Sequence, residues 1–599
     1  MGRRVGDRKA EEETIVELSA ATTTPRDARP ADAQQAGDPR DTPSAVDVIV
    51  VGAGLSGGLP AAAYLQKAGL QVLIVEANAE PGSFCCTHET WPQTLDSPHV
   101  GVSFAGNSPV IDDLELERFG FRFAASPVLL ATTYRDGTNC LICQHPERTA
   151  ENFARHSARD GQRMLEIQSR VDETMVEFNE LSSFSPHPDP GKLPRVFELC
   201  AYAMDFPVEQ MMEMTGPELC ERTFESDACR QILMTPVAFW EHGAPFARGQ
   251  GAFGTTFALY YTTGVGIGGN EVQVDALTRC FLHHGGQLWT SAAVEEVLVE
   301  NNRAVGVRLS RQSLYPGREV SARLAVICNV GVPETLRLVG PEAMESADPL
   351  LAAKMRYWQM GLRGSHVTSW LIDRRLSWQS ADFDPLIDEA ILVYRAFDSW
   401  EGTKQYLVDM LGNDTWKVSG QLMEFTYPAP ADPTSASPEG HTVLRAEECF
   451  PYALHGLGGP RSWDGPLRHE LVAARNAIMS QLVRDWDGSV LDYYDWTPLD
   501  NWRLNRSARF GQVVGGDFTE DQWILGRMPY RMPVAGLYMS NGVWPVGLSW
   551  MAAGYNAAQV VAADAGVRDQ PWWTARPCEW YSRNLPSLLA RDTAASFTE

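Results

Sequence analysis

Gly52-Ala53-Gly54-Leu55-Ser56-Gly57 and, nineteen residues past Gly57, the carboxylate of Glu76 are the groups in this chain whose types and spacing could hold a charged ligand. Gly52 permits a tight turn, Gly54 lets backbone approach a diphosphate with no Cβ between them, and Gly57 allows a helix to pack closely on a strand. A helix beginning there turns unpaired N–H groups toward phosphate oxygens. Glu76 can accept hydrogen bonds from ribose hydroxyls. Together these residues describe a dinucleotide site.

The flanking residues supply the elements such a site needs. Asp47 to Val51 is a β-branched run of the kind found in buried parallel strands. An Ala/Leu-rich helix is expected to follow as far as Lys67, with Gly69 ending it, and Gln71 to Val75 reads as a second buried strand. An extra Gly58 and an early Pro60 depart from the commonest spacing, so either Gly57 or Gly58 can take the third glycine role. The turn through Gly82, Ser83, Phe84 and Cys85 is expected to run past the diphosphate.

Acid–base candidates are sparse. In Trp240-Glu241-His242-Gly243 a carboxylate neighbours His242, and His88-Glu89 lies close to the cofactor turn. Cys140 and Cys143 form a CxxC, but no second CxxC or CxxH completes a metal set, so structural thiols are expected and no metal.

The formal charge is −26, which argues against nucleic acid and against a basic patch on anionic lipid. No run of eighteen apolar residues marks a transmembrane helix. Glu11, Glu12 and Glu13 stand where a signal peptide would be apolar, so a cytoplasmic protein is expected. Residues 1–45 read as a disordered tail. Residues from Glu151 to Leu233 read as largely helical, and those from Gly264 to Asn329 as a helix followed by short strands. A tryptophan-rich stretch, 346–500, either lines an apolar pocket or fills a core. The last aromatic segment, with Trp572, Trp573, Trp580 and Tyr581, reads as a packing helix, with a peripheral membrane contact as the other reading.

The opening VDVIVVGAGLSG to VLIVE, DLELERFGFRF, GGNEVQVDALTRCFLHHGG with AAVEEVLVENNRAVGV, AVICNVGVPETLRLVG, and the closing GLYMSNGVWPVGLSWMAAGYNAAQVVA resemble the phytoene-desaturase-like FAD oxidoreductases. The resemblance implies an α/β fold with a Rossmann-type FAD-binding domain in split segments (46–130, 264–345, 501–567). A largely helical plus β substrate domain is inserted (131–263, 346–500), and 568–599 is a packing segment. It places Gly52, Gly54, Ser56 and Gly57 at the diphosphate, Glu76 on the ribose, and the backbone of Val294 at the adenine. Ser83 falls in the turn beside the cofactor. Asn541, Gly542 and the loop to Gly554 are expected to close over ribityl and isoalloxazine.

Two departures bear on the substrate. Gly82-Ser83-Phe84-Cys85 replaces the usual Gly-Gly pair, and Pro545-Val546-Gly547-Leu548 replaces Pro-Gly-Gly-Gly. Trp544, Val546, Leu548 and Trp550 are expected to narrow the space at the flavin. The implied reaction is C–C desaturation of an apolar isoprenoid or alicyclic molecule by hydride transfer to flavin, with dioxygen or a quinone as electron acceptor. Two other classes stay open. One is an amine or amino-acid oxidase, for which Arg248, Arg363 or Arg527 would bind a carboxylate. The other is a flavin-dependent isomerase with no net redox change.

Overall fold

The computed structural model describes residues 43–186, 191–240, 245–361, 364–411, 422–453, 463–545 and 551–589. Most of the expected N-terminal tail, residues 1–42, therefore lies outside the described residues, as do His242, Arg363 and the closing-loop residues 546–550.

Two seven-stranded sheets organise the fold. In the first, Ala45–Val51 pairs in parallel with Val72–Val75 on one side and Glu319–Cys328 on the other. Gln287–Trp289 and Leu537–Met539 extend the parallel part outward. Val294–Glu300 and Arg303–Leu309 add an antiparallel meander on the first half of the Glu319–Cys328 strand. Val48 to Val51, Val72–Val75, Ala325 to Cys328 and Leu537–Met539 are buried and apolar at every position because this parallel core is covered on both faces.

The Gly58–Lys67 helix (GLPAAAYLQK) crosses from the first strand to the second and buries its first eight residues. Because it starts at Gly58, Pro60 falls in the first turn, where a missing N–H removes no helical bond. Gly69, at φ +97°, reverses the chain after Ala68 closes the helix.

The second sheet runs in the order Val490–Trp496, Gly364–Ile372, Thr442–Phe450, Met423–Thr426, Leu392–Arg395, Val128–Thr133 and Asn139–Cys143. All its pairings are antiparallel except Leu392–Arg395 with Val128–Thr133. One face carries Trp370, Phe425, Leu444 and Ala446 into a core shared with Met479 and Leu482 of the Leu467–Leu482 helix. Helices from Pro146–Ala154 to Gln250–Phe257 form a separate apolar cluster, so this region is helical as expected.

Trp370, Trp378, Trp463 and Trp486 are buried within this half of the molecule and serve as core. Trp573, Trp580 and Tyr581 are buried too, with Trp573 packed on Tyr64 of the Gly58–Lys67 helix at 4.5 Å between ring centroids. Cys140 and Cys143 lie on one strand three residues apart, so they face opposite sides of the sheet and join different apolar clusters. Both thiols are pushed up by burial. Among the described residues no helix is long and apolar enough to cross a membrane.

Candidate active site

Each of four parallel strands delivers a polar or glycine residue at its carboxyl end: Gly52 after Val51, Glu76 after Val75, Asn329 after Cys328 and Ser540 after Met539. Open α/β sheets bind their ligands at this edge. Gly52 turns out of the first strand at φ +97° while its N–H donates to the Val75 carbonyl at 2.8 Å. Ala53 N–H then donates to Glu76 Oε2 at 2.7 Å, so the turn and the carboxylate hold each other. Gly82 N–H donates to the Ala53 carbonyl at 2.9 Å, which clamps the Gly82-Ser83 turn onto the same loop.

Two glycines share the third role. A Cβ on Gly57 would lie 2.6 Å from the Ser540 carbonyl, and one on Gly58 would lie 1.9 Å from the Gly52 carbonyl. Gly58 thus sets the approach of helix to strand, and Gly57 clears the neighbouring strand end. Behind them Gly554 N–H donates to the Ser56 carbonyl at 2.9 Å. A Cβ on Gly554 would strike the Gly57 carbonyl, so this glycine supports the cradle from outside. Asn329 sits inside the cradle. In the amide orientation that satisfies its neighbours, its oxygen accepts from Gly54 N–H (3.2 Å) and Gly58 N–H (3.0 Å), and its nitrogen donates to Ser540.

A cavity of about 760 Å³ opens from this edge. Gly52, Gly54, Ser56, Gly57, Glu76, Ser83, Val294, Asn541 and Gly542 all line it. Gly554 does not, although its neighbour Ala553 does. Arg311 and Arg337 line the cavity together with Glu76 and Val294. Glu76 is 7 % exposed. Its pKa is raised by burial, against the pull of backbone N–H groups from Asn78 and Ala53. The cavity also reaches the second sheet, where Glu424, Arg445 and Glu447 line the wall with His99. Ser83, at φ +57°, is pinned by a 2.6 Å bond from Asn505 Nδ2.

Several buried polar atoms of residues lining this cavity have no hydrogen-bond partner: both ring nitrogens of His99, Nε2 of Gln512 and Oδ1 of Asn541. Burial, with Arg445 close by, brings the His99 imidazole down to about 3, so it is neutral near pH 7. Burial alone would lower Arg445 too, but Glu447 and Glu424 outweigh it and its pKa is raised.

The remaining sequence candidates fall elsewhere. His88 and Glu89 are exposed and line no part of the large cavity. Arg248 is exposed and pairs with Glu218. Arg527 is buried, but it donates to the Gly516 carbonyl and lies over Trp358 and Phe518, away from this cavity. Trp544 narrows a different space. Its indole N–H donates to the Ser182 carbonyl at 2.9 Å and its ring walls a smaller apolar pocket. Asn329, His99, Glu424, Arg445 and Glu447 were not anticipated. The last two carried a signal, since Arg445 and Glu447 alternate with apolar residues in TVLRAEECF.

Residues 50–106 match the NAD(P)-binding Rossmann-like domain family. The chain is similar to one of the subunits of limonene dehydrogenase from Castellaniella defragrans, 22% identical over 545 residues that cover 88% of this chain and 96% of that protein. It is also similar to pyridine nucleotide-disulfide oxidoreductase domain-containing protein 2 of Mus musculus, 25% identical over 586 residues, or 86% of this chain and 93% of that one. Wild-type putrescine oxidase bound to putrescine shares the fold, with a TM-score of 0.53 and 15% identity over 88% of this chain and 99% of that structure. The protein has the Rossmann-like, mixed α/β fold of an oxidoreductase, as the sequence motifs led us to expect. What these likenesses share is broader than the phytoene-desaturase-like branch.

Proposed function

We propose that the protein is an FAD-dependent dehydrogenase that forms a C=C bond in an apolar isoprenoid or alicyclic small molecule. The observation that carries this reading is one continuous cavity. It begins at a glycine cradle, passes partnerless buried polar atoms, and ends beside a pocket walled by apolar side chains. Its volume falls within the roughly 300–1,000 Å³ usual for cofactor and ligand sites.

The residues present suit a flavin dinucleotide. Asn329 takes the Gly54 and Gly58 N–H groups, and the glycines keep the rest of the Gly52 to Gly57 backbone open to a diphosphate. Glu76 keeps lone pairs for ribose hydroxyls beyond the two N–H groups it already accepts, and a carboxylate there disfavours a ribose 2′-phosphate. Val294 offers backbone to the adenine, Ser83 flanks the diphosphate, and Asn541 and Gly542 present polar groups further along the cavity. Glycines and acid alone read only diphosphate and ribose, which NAD and FAD share. The unpaired Asn541 Oδ1 and Gln512 Nε2 beyond the cradle favour the longer flavin.

FAD, when bound, supplies a two-electron hydride acceptor. The chain's own part is to orient a hydrocarbon, exclude water and receive a proton. In this reading the first sheet is the cofactor domain and the second sheet with its helices is the substrate domain. Dioxygen or a quinone takes the electrons onward. The likeness to the limonene dehydrogenase chain supports an alicyclic substrate. The buried carboxylates Glu424 and Glu447 favour a second reading, an oxidase whose substrate ammonium they would meet.

One experiment separates the two. Purified protein is loaded with FAD, made anaerobic and followed near ~450 nm, the usual oxidised-flavin band, against limonene and against putrescine. Bleaching by limonene supports the dehydrogenase, and bleaching by putrescine alone overturns it. Protein that neither carries nor takes up FAD overturns both.

A further inference from the structure

Three adjacent strands of the second sheet place Tyr394, Glu424 and Glu447 in one cross-strand row, with Tyr394 opposite Glu424 and Glu424 opposite Glu447. All three are at most 3 % exposed. Two carboxylates directly opposite each other in a buried ladder oppose folding unless something offsets them. Arg445 stands between them. It pairs closely with Glu447 through Nη2, while its Nη1 lies 3.5 Å from Glu424 Oε1. The Cys449 thiol also points at Glu447. The Tyr394 hydroxyl donates to Glu424 Oε2 at 2.6 Å.

The position of the pair gives this row a use. Tyr394 lines the smaller pocket, of about 90 Å³, and Glu424 lines the large cavity. The two spaces share Phe104 and Pro545 as walls. Leu129, Leu130, Ile142, Val237, Phe257 and Phe518 surround the smaller one, and no charged side chain among the described residues lines it. A small pocket of this kind suits a compact uncharged hydrocarbon and has no room for a long polyene.

We propose that this pocket seats the substrate ring and that Glu424, held by Tyr394 where the two spaces meet, accepts the proton lost in the dehydrogenation. The inference rests on the dehydrogenase reading above. One carbon gives up hydrogen with its bonding pair to FAD, which is reduced by two electrons. The C–H bond on the adjacent carbon breaks, its electron pair becomes the new C=C bond, and its proton passes to Glu424. Tyr394 is a positioning residue. Glu447, Arg445, Cys449, His99 and Asp96 are the other ionisable groups around the wall.

The test uses full-length protein loaded with FAD. Glu424→Gln is expected to hold FAD in the wild-type ratio and to bind limonene within about threefold of wild type, read by quenching of indole fluorescence, since Trp544 lines the pocket. Its anaerobic rate of flavin reduction by limonene is expected to fall by roughly 10²–10⁴. Tyr394→Phe is expected to keep both binding readouts and to move the acid limb of the reduction rate to higher pH, because a phenol donating to a carboxylate favours its charged form. A Glu424→Gln rate within threefold of wild type overturns the assignment, as does an unmoved limb in Tyr394→Phe. So does limonene binding lost in Glu424→Gln as steeply as rate. If wild-type protein itself is bleached by putrescine and not by limonene, the dehydrogenase reading fails first.

Discussion

Gly58→Ala tests the geometry on which the cofactor reading rests. The added Cβ would lie 1.9 Å from the Gly52 carbonyl oxygen, against about 3.4 Å for ordinary contact, so helix and strand must part by about 1.5 Å. Forcing a methyl group into a packed site costs about 1–3 kcal/mol. The cradle also moves by a distance that carries a 3 Å hydrogen bond out of range. Losing one N–H bond to a charged oxygen costs about 1.5–3 kcal/mol, or roughly 10–100-fold in FAD affinity. FAD-to-protein ratio by absorbance and Kd by fluorescence titration are the assays, with Gly488→Ala as control because its Cβ would meet nothing within 4 Å. A Gly58→Ala protein that binds FAD with wild-type affinity would refute the argument that this glycine sets the diphosphate cradle.

Glu76→Gln leaves one of the two N–H groups from Ala53 and Asn78 facing an amide NH₂, so a loss of about 1–3 kcal/mol in urea unfolding is expected together with weaker FAD binding. Trp573→Ala removes a ring that is 3 % exposed and packed on Tyr64, and a loss of about 3–5 kcal/mol is expected in the same assay. His366 is brought from 6.5 to about 4 by burial and the nearby Arg475, against the pull of Asp495. A histidine with a lowered folded pKa contributes stability above pH 6.5 that is lost as the pH falls toward 4. Between pH 7 and pH 5 this is about 1.5 units, or ~2 kcal/mol, and His366→Gln is expected to flatten that part of the slope.

What was legible in the chain follows from distance along it. Gly52 to Glu76 is a local unit, and its residue types are dictated by one turn, one helix start and one strand end. Asn329 enters the same cradle from 277 residues away, and nothing around it in ICNVGVP marks a side chain that reaches Gly54 and Gly58. The choice between Gly57 and Gly58 was equally hidden, because it depends on the Ser540 and Gly52 carbonyls. The wall residues were harder still. Tyr394, Glu424 and Glu447 come from three strands, and their row exists only through sheet register. The tryptophans of the same stretch drew attention toward a pocket, but those described in the second sheet's core fill space there. His242 lies outside the described residues and stays a sequence candidate.

On the proposed function, the two halves of the site would hold their ligands by different means. At the cradle FAD would be met by backbone N–H groups beside Asn329, at positions such as Gly57 and Gly58 where a Cβ has no room. At the second sheet recognition would come from side chains on three antiparallel strands. There a single substitution changes charge or shape without moving the cradle. Cofactor and substrate specificity would then be separable within this one chain. Replacing residues of the Tyr394, Glu424 and Glu447 row should alter which molecule reduces the flavin while FAD content stays constant, and changes at Gly57 or Gly58 should alter FAD content for every substrate alike.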